Sequence, residues 1–406
     1  MISQTFHKNR IQSIDILRGL VMVIMALDHV RDFFFKADIS DGGGSLATSP
    51  TDLDTTTPGL FFTRWITHFC APIFLLLAGT SAYLITQKKP LKEVSLFLLK
   101  RGIWLVFVEI IIITFGWTFN PLFNVLILQV IWAIGISMIL LSFIIYLPFR
   151  IIFLIGVLIV IGHNLLDYSI IKTALQGGFL SDLIYFANFS AYELGTNHML
   201  MIVYAFLPWT GVMILGYCLG KIFENHVDAE KRKKYLWRGG VSLLLLFIIV
   251  RTLNGYGDPM PWGSHHRGGF FTFLSFINVN KYPPSLDFLS LTLGIGMLLL
   301  LMFENLQNKL TTVFNIYGRV PFFYYVLHFY IIHLIAVIIF FINGFASSQI
   351  VTPGSPFFFR PPELGYGLIG VYVIWIIVVL ILYPMCKKYD IYKTSHIKLK
   401  WWLRYF

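Results

Sequence analysis

The sequence predicts an all-α, polytopic transmembrane protein, a bundle of about ten membrane-spanning helices with both termini in the cytoplasm. Of its 406 residues, 57% are hydrophobic and only 13% are charged, and the mean hydropathy is +0.75. A soluble domain of this size could not bury so much apolar surface. The apolar runs lack the alternation of membrane β-strands, so helices are the expected spanning elements.

Ten apolar runs are close in length to the ~20 residues that a helix needs to cross a bilayer. We therefore interpret 1–406 as one transmembrane domain, with cytoplasmic tails at about 1–13 and 387–406. The predicted spans are 14–35, 61–86, 95–117, 121–147, 149–167, 198–222, 239–255, 286–305, 321–343 and 364–386.

The basic residues determine the predicted orientation, because loops rich in Lys and Arg stay in the cytoplasm. Every alternate loop is basic, as are both tails, and the first intervening loop is acidic. The first apolar run keeps its charges and has no small-residue cleavage site, which predicts a retained span rather than a signal peptide. The basic positions are Lys8, Arg10, Lys88, Lys89, Lys92, Arg150, Lys231 to Lys234, Arg238, Lys309, Arg319, Lys387, Lys388, Lys393, Lys398 and Lys400; the acidic ones are Asp38, Asp41, Asp52 and Asp54.

The charge distribution, the cysteine spacing and the motifs argue against several function classes. The net charge of +11 is spread over short loops and forms no basic domain, so we expect no nucleic-acid partner. The three cysteines are isolated, which favours neither a disulfide framework nor a thiolate metal site, and no metal is expected. The chain also lacks a Gly-rich phosphate loop and the HExxH and GxSxG motifs.

Four predicted outer loops are long, at about 36–60, 168–197, 256–285 and 344–363, and are rich in Gly, Pro and aromatic residues. Long loops on one face of a helical bundle usually cover or form a site. The alternative is that they are solvated connectors. The His265–His266 pair in the third loop is predicted near or outside the outer face, where an ordinary surface role and a catalytic role both remain open.

The first span contains the most informative residues. Ionisable side chains inside a span are costly and mark functional sites. Arg18 and His29 are eleven residues apart, about 16 Å along a helix, which puts a cation near the cytoplasmic face and a titratable base deeper. Asp32 lies one turn from both Asp28 and His29, so a carboxylate can orient the imidazole of a general base or pair with Arg31. The alternative is a helix end whose charges neutralise one another.

A second histidine, His68, enters from the outer side at a depth comparable with that of His29. Two histidines at one level on successive antiparallel helices predict a single polar chamber. His68 is therefore a second candidate base, the alternative being a lone histidine bonded to a neighbouring carbonyl.

The ninth span begins at Pro321, directly after Arg319 and Val320. A helix N-terminus beside an arginine is a suitable phosphate site, although Arg319 also fits a plain cytoplasmic anchor. His328 lies about two turns deeper, with Tyr324 one turn before it on the same face. We group these three side chains with Arg18 as candidates for binding the cofactor.

Four segments carry a family resemblance: RIQSIDILRGLVMVIMALDHVRDFF, WITHFCAPIFLLLAGTSAYL, NVNKYPPSLDF and GRVPFFYYVLHFYIIHLIA. They resemble bacterial membrane proteins grouped with the heparan-alpha-glucosaminide N-acetyltransferase catalytic domain, over nearly the whole chain and in the same order. The spacing between Arg18 and His29 is also similar to the Arg-x10-His motif of integral-membrane O-acyltransferases that modify O-antigen and peptidoglycan.

The resemblance implies a multi-pass acyltransferase of the bacterial cytoplasmic membrane. Its donor would be acetyl-CoA or another acyl-CoA, and its acceptor a sugar or glycan on the far side. Arg18 would lie near the acyl-CoA and His29 would be the catalytic histidine. The lysosomal members have Asn where this chain has Asp28, and a catalytic histidine just beyond the first span, where this chain has Lys-Ala-Asp at 36–38. That difference leaves His29 or His68 as the base and leaves the acceptor amine open.

The residues fit this reaction without the resemblance. The phosphates of a CoA thioester need cations at the cytoplasmic mouth, which Arg18 and Arg319 can supply, with Arg101 or Lys309 as further candidates. The base would deprotonate an acceptor hydroxyl or amine, which attacks the thioester directly or through an acyl-histidine intermediate.

Two other classes remain open from the sequence, a proton-coupled transporter that uses the intramembrane Asp, Glu and His residues, and a structural protein. The expected partners are acyl-CoA, the sugar or glycan acceptor and the lipid bilayer, with homodimer formation left open.

Overall fold

The structure, a computed structural model, describes residues 11–36, 50–351, 355–396 and 399–404. Within them the predicted all-α polytopic architecture is confirmed. Predictions that involve Lys8, Arg10, Asp38, Asp41 and Lys398 lie outside the described residues. The helices are α1 Gln12–Phe34, α2 Pro58–Thr67, α3 Cys70–Thr86, α4 Leu91–Val108, α5 Thr114–Thr118, α6 Val130–Ile144, α7 Phe149–Gly162, α8 Ser169–Leu175, α9 Phe179–Ser181, α10 Phe206–Leu219, α11 Ala229–Leu253, α12 Gly269–Ile277, α13 Leu286–Phe303, α14 Lys309–Arg319, α15 Pro321–Ile342 and α16 Leu368–His396.

Each of the ten predicted spans contains a helix. Across the described residues, seven helical segments are long and apolar enough to cross a membrane: α2 with α3, α7 with the turn after it, α10 with the turn after it, α11, α13, α15 and α16. The other three predicted spans correspond to α1, α4 and α6. The first two carry more charges than an ordinary span, and α6 has only 15 residues.

A small sheet replaces helix at the start of two predicted spans. Strands β1 Val125–Leu128, β2 Ser190–Gly195 and β3 His198–Ile202 form it in the order β1-β3-β2, with β1 and β3 parallel and β2 and β3 antiparallel. The prediction of helix over 121–128 and 198–202 was therefore wrong. Short apolar runs do not distinguish a strand from a buried helix by periodicity, and pairing between distant segments decides.

Helix α1 is at the centre of the bundle, where it packs against α3, α13, α14, α15 and α16. Its crossing with α14 is backbone to backbone. A Cβ at Gly19 would lie 1.8 Å from the carbonyl oxygen of Phe314, and a Cβ at Gly318 would lie 1.8 Å from that of Asp15. Glycine is therefore required on both helices, as at other close helix crossings in membranes.

The outer segment 256–285 folds over one end of the bundle and is anchored by Arg251 near the end of α11. This buried guanidinium donates hydrogen bonds of 2.8 to 3.0 Å to four carbonyl oxygens. The acceptors are Met260, Ser275, Phe276 and Asn278. Because one rigid fork of donors satisfies several backbone acceptors, it ties the end of α12 and the irregular stretches on either side of it to α11.

Candidate active site

A cavity of about 1020 Å³ opens at the end of the bundle where the long loops lie. All four predicted outer loops contribute to its wall, through Pro50 to Asp52, Asn188 with Phe189, Met260 with 278–282, and Phe357 with Arg360. The four loops therefore share the wall of one cavity, and their role in a functional site stays a prediction. We call this space the outer cavity.

His29 lines the outer cavity and is held by a second histidine. Its Nδ1 lies 2.6 Å from Nε2 of His328, which α15 supplies from 299 positions further along the chain. The sequence had placed His328 with the candidates for binding the cofactor, whereas the structure brings it against the candidate base.

The hydrogen-bond pattern assigns the tautomers of this pair. Nδ1 of His328 lies 3.3 Å from the carbonyl oxygen of Tyr324, which can only accept a hydrogen bond, so this nitrogen carries the proton. Nε2 of His328 is then the acceptor, and Nδ1 of His29 donates to it. His29 is left with an unprotonated Nε2, which is the state that a general base needs.

Aromatic packing restricts the His29 ring further. The ring stacks on Phe329 at 4.4 Å between centroids and meets the edge of Trp117 at 5.2 Å. A ring enclosed on two sides and hydrogen-bonded at one nitrogen has little freedom to rotate, which keeps the other nitrogen in one direction.

The carboxylates of α1 pair with arginines. Asp28 lies 2.5 Å from Arg64 of α2 and 3.0 Å from Arg31, while Asp32 pairs with Arg31. Of the two arrangements that the sequence left open, pairing with Arg31 is the one found. The imidazole of His29 is oriented by a histidine instead of a carboxylate.

His68 also lines the outer cavity, so the two histidines do share one polar chamber. It is buried at the break between α2 and α3, with its ring 5.5 Å from that of Phe288. In the described part of the chain, its Nδ1 has no hydrogen-bond partner.

Two further cations line the outer cavity. Lys281 is buried, with its ammonium 5.1 Å from the ring centre of Tyr282. Arg360 stacks over Phe33 at 4.3 Å and donates a hydrogen bond to the backbone oxygen of Asp32. Burial lowers the pKa of Arg360 to about 10, against the opposing effect of the Asp32 carboxylate.

A second cavity, of about 310 Å³, lies at the other end of α1, and we call it the inner cavity. Four basic side chains from four helices line it: Arg18, Arg101, Arg319 and Lys393. All four belong to the end of the bundle that the charge distribution predicts to be cytoplasmic.

Local contacts hold two of these arginines in place. Arg18 donates to Ser81 Oγ at 2.9 Å and to the Gly318 carbonyl oxygen at 3.3 Å, and its guanidinium lies 3.1 Å from Asp15. Arg319 lies 3.1 Å from Asp390 of α16. Pro321 is at the first helical position of α15, as predicted, and lines the same cavity.

The two cavities share part of their walls. Phe74 of α3 and Val130 of α6 line both of them. On α1, Met22 lines the inner cavity and Met25 the outer one, so the two spaces adjoin within one helical turn.

Some site residues differ from those that the sequence singled out. Tyr324 is buried against Tyr317 and His328, and its contribution to the site is its carbonyl oxygen. Arg64 and Lys393 were not among the candidates. Arg64 could have been found because it lies one turn before His68, whereas Lys393 lies in a segment predicted to be a tail.

Comparison with known families identifies one match. The sequence model described as "Heparan-alpha-glucosaminide N-acetyltransferase, catalytic" matches residues 10–253, more than half of the chain. The matched region contains Arg18, His29 and His68, while His328 lies beyond it. A search of curated proteins finds no match. The family suggests a membrane acetyltransferase-like function, and the seven long apolar segments fit an integral membrane protein. The chain belongs to the heparan-alpha-glucosaminide N-acetyltransferase catalytic-domain family.

Proposed function

We propose that the chain transfers an acyl group, in the first place acetyl, from cytoplasmic acyl-CoA to a hydroxyl or amine of a sugar or glycan on the other side of a bacterial cytoplasmic membrane. The observation that supports this best is the pair of adjoining cavities. One is lined by four basic side chains and the other by His29, which is hydrogen-bonded to His328 behind it, and the two cavities meet at Phe74 and Val130. The transmembrane domain that performs this reaction is proposed to span 1–406.

The inner cavity suits the donor. CoA carries phosphate groups, and Arg guanidinium groups bind phosphate with paired, charge-assisted hydrogen bonds. Arg18, Arg101 and Arg319 provide such groups and Lys393 adds an ammonium group, around a space lined mainly by apolar side chains. The separation of about 16 Å between Arg18 and His29 along α1 leaves room for an extended thiol arm that carries the thioester towards His29.

The outer cavity suits a sugar acceptor. Its volume is at the upper end of the range of small-molecule sites, and it combines aromatic walls with a few polar groups, as such sites usually do. Trp117, Phe189, Tyr204, Tyr282 and Phe357 present aromatic surface against which the C–H face of a sugar ring can pack.

The chemistry follows from the tautomers. Nε2 of His29 removes the proton from the acceptor O–H or N–H as the oxygen or nitrogen attacks the thioester carbonyl. The new bond to the acyl carbon forms, the C–S bond breaks, and the CoA sulfur takes a proton as it leaves. While His29 is imidazolium, its Nδ1–H to His328 Nε2 hydrogen bond is charge-assisted and stabilises the cation.

The other predicted residues receive supporting roles. Asp28 and Asp32 balance the charges of Arg31 and Arg64 beside the cavity, because buried cations without counter-charges are costly. His68 faces the acceptor space and is the second candidate base. His328 is a positioning residue for His29, and Tyr324 positions His328 through its carbonyl oxygen.

Two alternatives make different predictions. An acyl-histidine intermediate would leave acyl label on the protein when donor is supplied without acceptor. A proton-coupled transporter would move a solute without consuming acyl-CoA, and family membership favours the transferase over it.

The direct test is acyl transfer by purified protein in liposomes, with labelled acetyl-CoA and a panel of amino sugars and glycans. We expect label in an acceptor together with released CoA, and a loss of at least about 100-fold in the His29→Ala variant, the usual contribution of a general base. His198→Ala is the control, since this exposed histidine lies on β3 and lines neither cavity. Full transfer by His29→Ala would contradict the assignment of the base.

The donor site is tested separately by the thermal stability of the detergent-purified protein with acetyl-CoA. A ligand that binds only the folded state raises the apparent melting temperature. We expect a rise for the unaltered protein that is lost in Arg18→Ala. The control is Lys172→Ala, which removes a half-buried cation of α8 that lines neither cavity. No rise with any acyl-CoA would argue against the transferase.

A further inference from the structure

Three metal-ligand side chains converge on the outer loops, away from the histidine pair. Nε2 of His265 lies 3.2 Å from Oδ1 of Asp54, and Nδ1 of His266 lies 3.7 Å from the same oxygen. One ligand atom from each residue falls within 4.8 Å of the other two. The two imidazoles stack at 4.5 Å between centroids.

These separations match those of a tetrahedral zinc site. With ligand bonds of about 2.1 Å, two ligands of a tetrahedral ion are roughly 3.4 Å apart. Two imidazoles and one carboxylate form a common three-residue ligand set for zinc, which leaves the fourth position for water. Calcium and magnesium prefer oxygen ligands and would not select two imidazoles.

The segments that carry the ligands are already held together. Arg267 donates to the carbonyl oxygens of Leu53 at 2.6 Å and Thr56 at 2.9 Å, and its guanidinium lies over the Phe271 ring. Arg267 is engaged by these carbonyl oxygens. The Asp54 carboxylate lies beside the two histidines. A metal entering here would find its ligands on a prearranged backbone.

We propose that Asp54, His265 and His266 bind a zinc ion that joins segment 50–57 to segment 263–268. Segment 50–57 borders the outer cavity through Thr51 and Asp52, and the second segment lies in the same outer loop as Met260 and Asn278, which also line the cavity. The zinc touches none of the groups assigned to the reaction. Its role is to hold two outer segments together beside the outer cavity, and that this cavity takes the acceptor rests on the proposed function.

The test measures zinc directly and does not depend on acyl transfer. The full chain, purified in detergent with an affinity tag that contains no histidine, is stripped with a chelator and titrated with zinc chloride by calorimetry. We expect one saturable equivalent, and at least about a tenfold weaker affinity in Asp54→Ala and in His266→Ala. Both side chains are about 70% exposed, at 69% and 71%, so these substitutions leave no buried group unpaired.

Two controls make the result decisive. His198→Ala removes an exposed histidine elsewhere on the outer loops and should bind zinc like the unaltered chain. Zinc should also raise the apparent melting temperature of the unaltered chain, and of His198→Ala, but of neither ligand variant. Absence of saturable binding, or equal affinity in all four proteins, would overturn the proposal.

Discussion

At the scale of single residues, the site depends on a contact between two imidazoles. A carboxylate would normally be expected to orient His29. Asp28 directly precedes it in the sequence, and Asp32 lies one helical turn after it. Both are instead engaged by Arg31 and Arg64. Nε2 of His328, a neutral acceptor, receives the hydrogen bond from the Nδ1–H of His29, and Nε2 of His29 is left unprotonated.

The role of His328 can be separated from simple packing. Leucine at this position removes the acceptor, so His29 can adopt the inactive tautomer, and we expect His328→Leu to lower kcat by about 100-fold. Glutamine keeps an acceptor oxygen, and His328→Gln should retain more activity. The KM for acetyl-CoA should change little in both variants, because His328 lines neither cavity.

Steady-state kinetics over a range of pH is the measurement. A histidine that positions another should alter the pH profile of kcat when it is replaced by Leu, and the profile should recover with Gln. Equal losses and identical profiles in the two variants would show that the ring serves packing alone.

At the scale of helices, the crossing of α1 and α14 determines where two arginines of the inner cavity, Arg18 and Arg319, lie. Gly19 and Gly318 allow the two backbones to touch, and this contact brings Arg18 to the carbonyl of Gly318 and beside Arg319. The sequence pointed to Arg319 but did not predict that α14 packs against α1. Eleven residues are too few to span a bilayer, and the segment was therefore interpreted as a connector.

We expect Gly318→Ala to destabilise the protein by about 1–3 kcal/mol, the usual cost of overpacking, because the new methyl would overlap the Asp15 backbone. Acetyl-CoA affinity should fall with it, since Arg18 is displaced. Gly367→Ala is the matched control: it is exposed, and nothing lies within 4 Å of its Cβ. The measurement is the apparent melting temperature of each variant. Similar values in the two would contradict the close contact between the α1 and α14 backbones.

At the scale of the whole molecule, two cavities from opposite ends of the bundle meet near its middle. Four loops and helices α1 to α3 form the outer cavity, helices that include α1, α3, α4 and α6 form the inner one, and among the described residues Phe74 and Val130 line both. Under the proposed function, the donor and the acceptor would reach His29 from opposite ends of the bundle.

Phe74 should therefore control the size of the transferred group. In Phe74→Ala the passage is wider, and we expect longer acyl-CoA donors to gain in rate relative to acetyl-CoA. Phe153→Ala is the control, because Phe153 lines a separate apolar cavity of about 720 Å³. The measurement compares kcat/KM for acetyl-, butyryl- and hexanoyl-CoA. An unchanged chain-length preference in Phe74→Ala would argue against transfer across this wall.

Much of the architecture followed from the sequence because its cause is local. A run of about twenty apolar residues must be helical in a bilayer, since each helix satisfies its own backbone hydrogen bonds. The charged residues of α1, the shared chamber of His29 and His68 and the family were likewise identified from neighbouring residues or from segment composition. Strand β1 was missed, because its backbone partner β3 lies 74 positions further along the chain.

The sequence by itself determined the membrane-helical class, the family and which side chains could carry chemistry. Only the tertiary structure decided how these side chains are paired: His29 with a histidine 299 residues away, Asp28 with Arg64, and Arg18 in one cavity with Lys393. The physical reason is that hydropathy and helix formation depend on adjacent residues. A hydrogen bond or a cavity wall depends on which helix faces pack together, and chain position alone does not specify that.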